Sequence, residues 1–128
     1  MKKLKIYISH PIRGISENPD MEVNCKKAVL FVNNLRAQFS DVVFFCPAEG
    51  EWKITRLWLA GKLRLEDILW ADCEQIKECD AIISYCWEDE LSAGMKAKES
   101  VALFNQIPVY RTRKPDIKLL RRFIERLK

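Results

Sequence analysis

DAIISYCWEDELSAG, residues 80–94, passes from an acid through a near-continuous apolar run into a charged stretch that ends at Ser92 and Gly94. A strand buried on both faces reads this way, whereas a strand with one wet face alternates apolar and polar residues. Ser92 suits a helix cap, and helical spacing follows to about Asn105, so the stretch predicts a strand, a loop and a helix start. Other segments repeat the plan. LKIYIS (4–9) is ended by HPIRG, where Pro11 and Gly14 mark a loop, and VVFFC (42–46) is broken by Pro47. IPVYR (107–111) leads into KPDIKLLRRFIERLK, a terminal helix with Pro115 near its first turn.

Helices are expected between these strands. From Asp20 to about Phe39, Val23, Ala28, Val29, Phe31, Val32 and Leu35 recur at helical spacing, after start signals at Asn18, Pro19 and Asp20. The stretch from about Ile54 to Glu78 reads as two helical pieces split near Gly61, with Leu63, Leu65, Ile68, Leu69 and Ile76 as core candidates. The order is βαβαβαβα without a hairpin signal. That order predicts an α/β fold, one flavodoxin-like doubly wound parallel sheet of about four to five strands with helices on both faces.

Composition agrees with one domain over residues 1–128, since a chain of 128 residues is long enough to bury a single core. No apolar run approaches the ~20 residues of a membrane span, and KIYI is too short for the core of a signal peptide. The expectation is a cytoplasmic protein without a membrane partner. Five cysteines, an odd number without a CxxC pair, read as buried reduced thiols. With His10 the only histidine, zinc has neither spacing nor ligands, and no metal is expected. The net charge of +4 is uneven: eight Lys/Arg against two acids from Arg111 onward leave the preceding body at about −2. No zinc-finger, helix-turn-helix or RNP pattern accompanies that basic end, so no specific nucleic acid is expected.

In a doubly wound sheet the ligand sits beyond the carboxyl ends of the strands, at a topological switch point. Three loops qualify: SHPIRG, PAEGEW and WEDELSAG. None contains GxGxxG or a Walker A motif, and no cofactor is expected. The first loop offers Ser9, His10, Arg13 and the amides around Gly14, which suit a phosphate or ribose hydroxyls, or else form an ordinary surface turn. Ser92 as cap with Gly94 in the first turn offers a second set of amides, or ordinary capping. Asp72 and Glu49 are carboxylates within reach of such a cleft, able to accept a substrate hydroxyl or donate a proton to a leaving base, or else ordinary solvated acids. Asp80, opening the third strand, reads as structural.

Taken in order, KIYISHPIRG, PAE, DCEQIKECDAIISY and SAGMKAK with ALFNQIPVY resemble the nucleoside 2-deoxyribosyltransferase superfamily, including the deoxynucleoside 5′-monophosphate N-glycosidases. The resemblance covers most of the chain up to Tyr110. It implies cleavage of an N-glycosidic bond, in which a glutamate attacks the anomeric carbon of 2-deoxyribose and the sugar passes to another base or to water. By resemblance, Ile12, Arg13 and Gly14 form a phosphate-binding loop, Ser92 and Gly94 a second phosphate contact, and Asp72 lies close to base and sugar. Glu49 falls in a loop that often lines the pocket. These matches favour a monophosphate, and the family implies a homo-oligomer.

One position departs from the pattern. The nucleophilic glutamate is expected four residues after the glycine and ten before the next strand's proline, and both counts, from Gly94 and from Pro108, land on Lys98. If Ala93, Ala97, Val101 and Phe104 form the core face, Lys98 flanks it by ~100° and Glu99 points ~160° away, toward solvent. A protonated lysine is no substitute nucleophile, although it would pair well with a phosphate. Two versions follow. In the active one, a residue of slip makes Glu99 the nucleophile with Asp72 assisting; in the other, the protein binds a nucleotide without catalysis. An unrelated α/β protein with an interface at Trp52, Trp58 or Trp87 is a third reading.

Overall fold

The computed structural model describes residues 3–12, 14–15, 20–49, 57–58 and 60–128. Strands β1 (Leu4–Ser9), β2 (Val42–Phe45), β3 (Ala81–Tyr85) and β4 (Val109–Thr112) form one parallel sheet in the order β2-β1-β3-β4. Helices α1 (Met21–Gln38), α2 (Leu65–Lys77), α3 (Ala93–Phe104) and α4 (Ile117–Leu127) complete the alternation. This is the doubly wound arrangement that the order of apolar runs predicts. Residues 57–58 are helical and Gly61 turns at φ 72°, which matches the split expected there.

Side chains two apart on a strand share a face, and β1 shows the partition. Ile6 and Ile8 join the core beneath α1 and α4, with Ala28, Val32, Leu35, Leu120 and Ile124. Tyr7 joins the opposite core, with Ile76 of α2, Ile82 of β3 and Ala102 of α3. Both faces are therefore covered, which is why the strands read as continuous apolar runs. Asp80 has the structural part expected of it: its carboxylate accepts from Lys5 N at 2.8 Å while its own N–H donates to Lys5 O at 2.7 Å, fixing the β1–β3 register.

Two helix faces differ from expectation. In α1 the buried stripe is Cys25, Ala28, Phe31, Val32 and Leu35, and Val23 is exposed. Val23 stands about 200° around the helix from Cys25, in a first turn capped by the Asp20 carboxylate. In α3 the buried residues are Met95, Lys98, Glu99 and Ala102, spaced i, i+3, i+4 and i+7, while Ala93 and Phe104 are exposed. Choosing the face by hydrophobicity alone put Phe104 inside and Glu99 outside. The true face carries two charges, each met by an ionic partner from another element. Among the described residues no helix is long and apolar enough to cross a membrane.

Candidate functional site

The connections after β1 and β3 leave these adjacent strands toward opposite faces of the sheet, which opens a crevice at their carboxyl ends. A cavity of about 310 Å³ lies there. Its walls are mostly apolar: Ile12 and Met21 on one side, Trp58, Ile68, Leu69 and Met95 on others. Ile68 and Leu69, read from sequence as core, are half-buried and serve as wall. Polar groups reach it at few points: His10 and Gly14 from the loop after β1, Asp72 from α2, and Ser92, Gly94 and Lys98 from the start of α3.

Lys98 and Asp72 meet across the helix pair, Nζ to Oδ2, at 3.4 Å. The lysine side chain is 6% exposed and the aspartate 20%, so the pair is shielded on the lysine side and wetter on the carboxylate side. The ammonium also lies 5.5 Å from the centre of the Tyr7 ring, where the negative ring face attracts it. Cation and carboxylate are thus both presented to the cavity.

His10 is buried, with Nδ1 2.9 Å from Pro11 O. A carbonyl only accepts, so Nδ1 carries the proton and Nε2 of the neutral ring is left as an acceptor. Nε2 has no hydrogen-bond partner among the described residues. Burial lowers the pKa to about 4, opposed by the bond to Pro11 and reinforced by the charge of Lys98. The imidazole is neutral at ordinary pH. Beneath the site Ser9 and Ser84 are register partners on β1 and β3, both fully buried, and neither Oγ has a partner among the described residues. Ser9 does not itself line the cavity.

The Gly14 backbone has φ 68°, and a side chain there would collide with the Glu88 carboxylate. Ile15 N donates to both Glu88 oxygens, at 3.2 and 3.3 Å. Glu88 sits in the WEDELSAG loop, yet nothing in its spacing singles it out as a partner of residues 73 positions earlier. Ser92 caps α3, its Oγ accepting from Met95 N at 3.3 Å, and Gly94 has open space where a side chain would begin. Arg13 and Trp52 lie outside the described residues.

Besides Ser9, two predicted residues stand away from the cavity wall. Glu49 follows β2, an edge strand one place removed from the crevice, and its carboxylate is bound by Arg36 through two bonds of 2.6 Å. That bond holds the Glu49 carboxyl below its ordinary pKa. Glu99 is buried, which corrects the expectation that it faces solvent. Arg111 of β4 grips it with Nη2 at 2.5 Å and Nε at 3.3 Å. Lys98 and Glu99 therefore diverge from one helix, the lysine to α2 and the cavity, the glutamate to β4. No local motif marks Arg111, because a strand register brings it to α3.

No protein-family model matches the chain, and no curated protein matches it. Among solved structures it is similar to a conserved protein from Enterococcus faecalis V583, with a TM-score of 0.63 and 18% sequence identity. The match covers 86% of this chain and 63% of the other, so the chain spans less than two thirds of that neighbour. The likeness is one of fold.

Proposed function

We propose that the chain is a nucleoside 2-deoxyribosyltransferase-like protein whose cavity takes a deoxynucleoside or its 5′-monophosphate, with the N-glycosidic bond beside Asp72 and Lys98. The observation that carries this reading is the apolar cavity at the β1–β3 switch point with the Lys98–Asp72 ion pair on its wall. A volume of about 310 Å³ is within the range of small-molecule sites, and apolar walls with few polar groups suit a base and a sugar. The Asp72 carboxylate can accept from a sugar hydroxyl, and the Nε2 lone pair of His10 can accept from a further donor group.

Binding is the part of this reading that the geometry favours most. Cleavage or transfer at the glycosidic bond needs a group that attacks the anomeric carbon, and Glu99 is turned to Arg111. The catalytic version has specific support in Asp72, a carboxylate on the cavity wall able to assist the leaving base. For Glu99 to act as nucleophile it must first leave Arg111 and turn into the cavity. The same reading carries a small-molecule partner, a cytoplasmic setting and a homo-oligomer.

The test pairs calorimetry with chromatography, using each deoxynucleoside and its monophosphate. Saturable binding of at least one, weakened about tenfold or more by Lys98→Ala or Asp72→Ala, is the expected result. Absence of binding to every nucleoside and nucleotide overturns the proposal. Base release abolished by Glu99→Ala but retained in Lys98→Ala establishes the enzyme; binding without base release establishes a nucleotide-binding protein.

A further inference from the structure

We infer that Glu88 is a specificity determinant: seated on the loop after β1, its carboxylate occupies the place of a 5′-phosphate and reserves the cavity for a nucleoside without one. This rests on the reading of the cavity as a nucleoside site and deepens it.

Three observations converge. The Ile15 amide, in the loop that sequence suggests as a phosphate cradle, already donates to both Glu88 oxygens. Gly14, which lines the cavity, leaves no room for a side chain because that carboxylate fills the space. The loop is thus shaped around an anion, and the anion belongs to the protein. Lys98, the cation that would pair with a phosphate, is already engaged by the Asp72 carboxylate. A phosphate on the Gly14–Ile15 loop would meet a like charge at contact distance, or would have to displace Glu88 from its hydrogen bonds. An uncharged sugar end meets neither obstacle.

Two measurements test this, on wild type, Glu88→Gln and Glu88→Asp, each checked for folding by its amide spectrum. In the first, inorganic phosphate is titrated while the Gly14 and Ile15 amide resonances are followed. Wild type and Glu88→Asp should show no saturable shift, and Glu88→Gln should show one. In the second, wild type should bind a deoxynucleoside at least about tenfold more tightly than its 5′-monophosphate, with Glu88→Gln closing that gap. Equal phosphate responses in wild type and Glu88→Gln, or none in Glu88→Gln, overturn the inference, as does a wild type that prefers the monophosphate. If nothing nucleosidic binds, the proposed function fails while the phosphate titration still decides the part played by Glu88.

Discussion

Burial lowers the pKa of His10 to about 4, while the unfolded chain's imidazole titrates near its ordinary 6.5. Between those values the unfolded state binds the additional proton, and stability rises with pH wherever the unfolded state holds more protons. The contribution is complete above pH 6.5 and is lost as pH falls from there toward 4. A loss of about 3 kcal/mol is expected from this one group. Urea unfolding between pH 7 and 4.5 should show that slope in the wild type and lack it in His10→Asn, which keeps a donor for Pro11 O. The ion pair beside it makes a second prediction at this scale. Asp72→Ala leaves the buried Lys98 ammonium without its carboxylate and should cost about 3 kcal/mol, because an uncompensated charge is costlier than a missing pair. Adding Lys98→Met removes the stranded charge and should return most of that loss. If the double variant is no more stable than Asp72→Ala, the pair is not what holds the site.

Helix α3 shows why an element's face depends on its partners. Met95 and Ala102 supply apolar burial, and Lys98 and Glu99 sit between them because α2 brings Asp72 and β4 brings Arg111. The two kinds of ion pair in the chain differ in consequence. Arg64–Asp67, with 77% and 49% of the side chains exposed, belongs to the class that contributes little, because water screens both charges. Glu99, with a 9% exposed side chain, is another case: Arg111→Ala should cost about 2 kcal/mol by leaving a charged acceptor buried and unmet. Replacing both residues by leucine should cost less than Arg111→Ala alone, as measured by thermal or urea unfolding. The helical periodicity of residues 93–104 was legible in the sequence. Its inward face was not, since the rule that charged residues face water fails where the fold supplies counter-charges from elements 12 and 26 residues away.

The molecule as a whole turns its cysteines inward. Cys25, Cys46, Cys79 and Cys86 are buried, Cys73 is half-buried, and none is in a disulfide. Burial pushes the Cys46 and Cys79 thiols up to about 11, so little thiolate is present at neutral pH in the folded state. Reaction with a soluble thiol reagent at pH 8 should be slow at these two positions and become fast across the urea transition. Rapid labelling of Cys46 or Cys79 in the native protein would show that the sheet opens locally.

The alternation of apolar strands and helices, the capping positions Asp20 and Ser92, and the switch-point location of the site follow from the sequence alone. Apolar runs that alternate with helices, without hairpin signals, point to a parallel sheet between two helical layers. The sequence also marked His10, Gly14, Asp72, Ser92, Gly94 and Lys98, which the fold gathers around one cavity. Tertiary structure alone decided that Glu99 faces Arg111, that Glu49 belongs to Arg36, and that Glu88 sits on the amide after Gly14. Those pairings join residues on separate elements, so they depend on strand order and register. Local periodicity contains neither, because it records which way a side chain points along its own element and not what another element places before it.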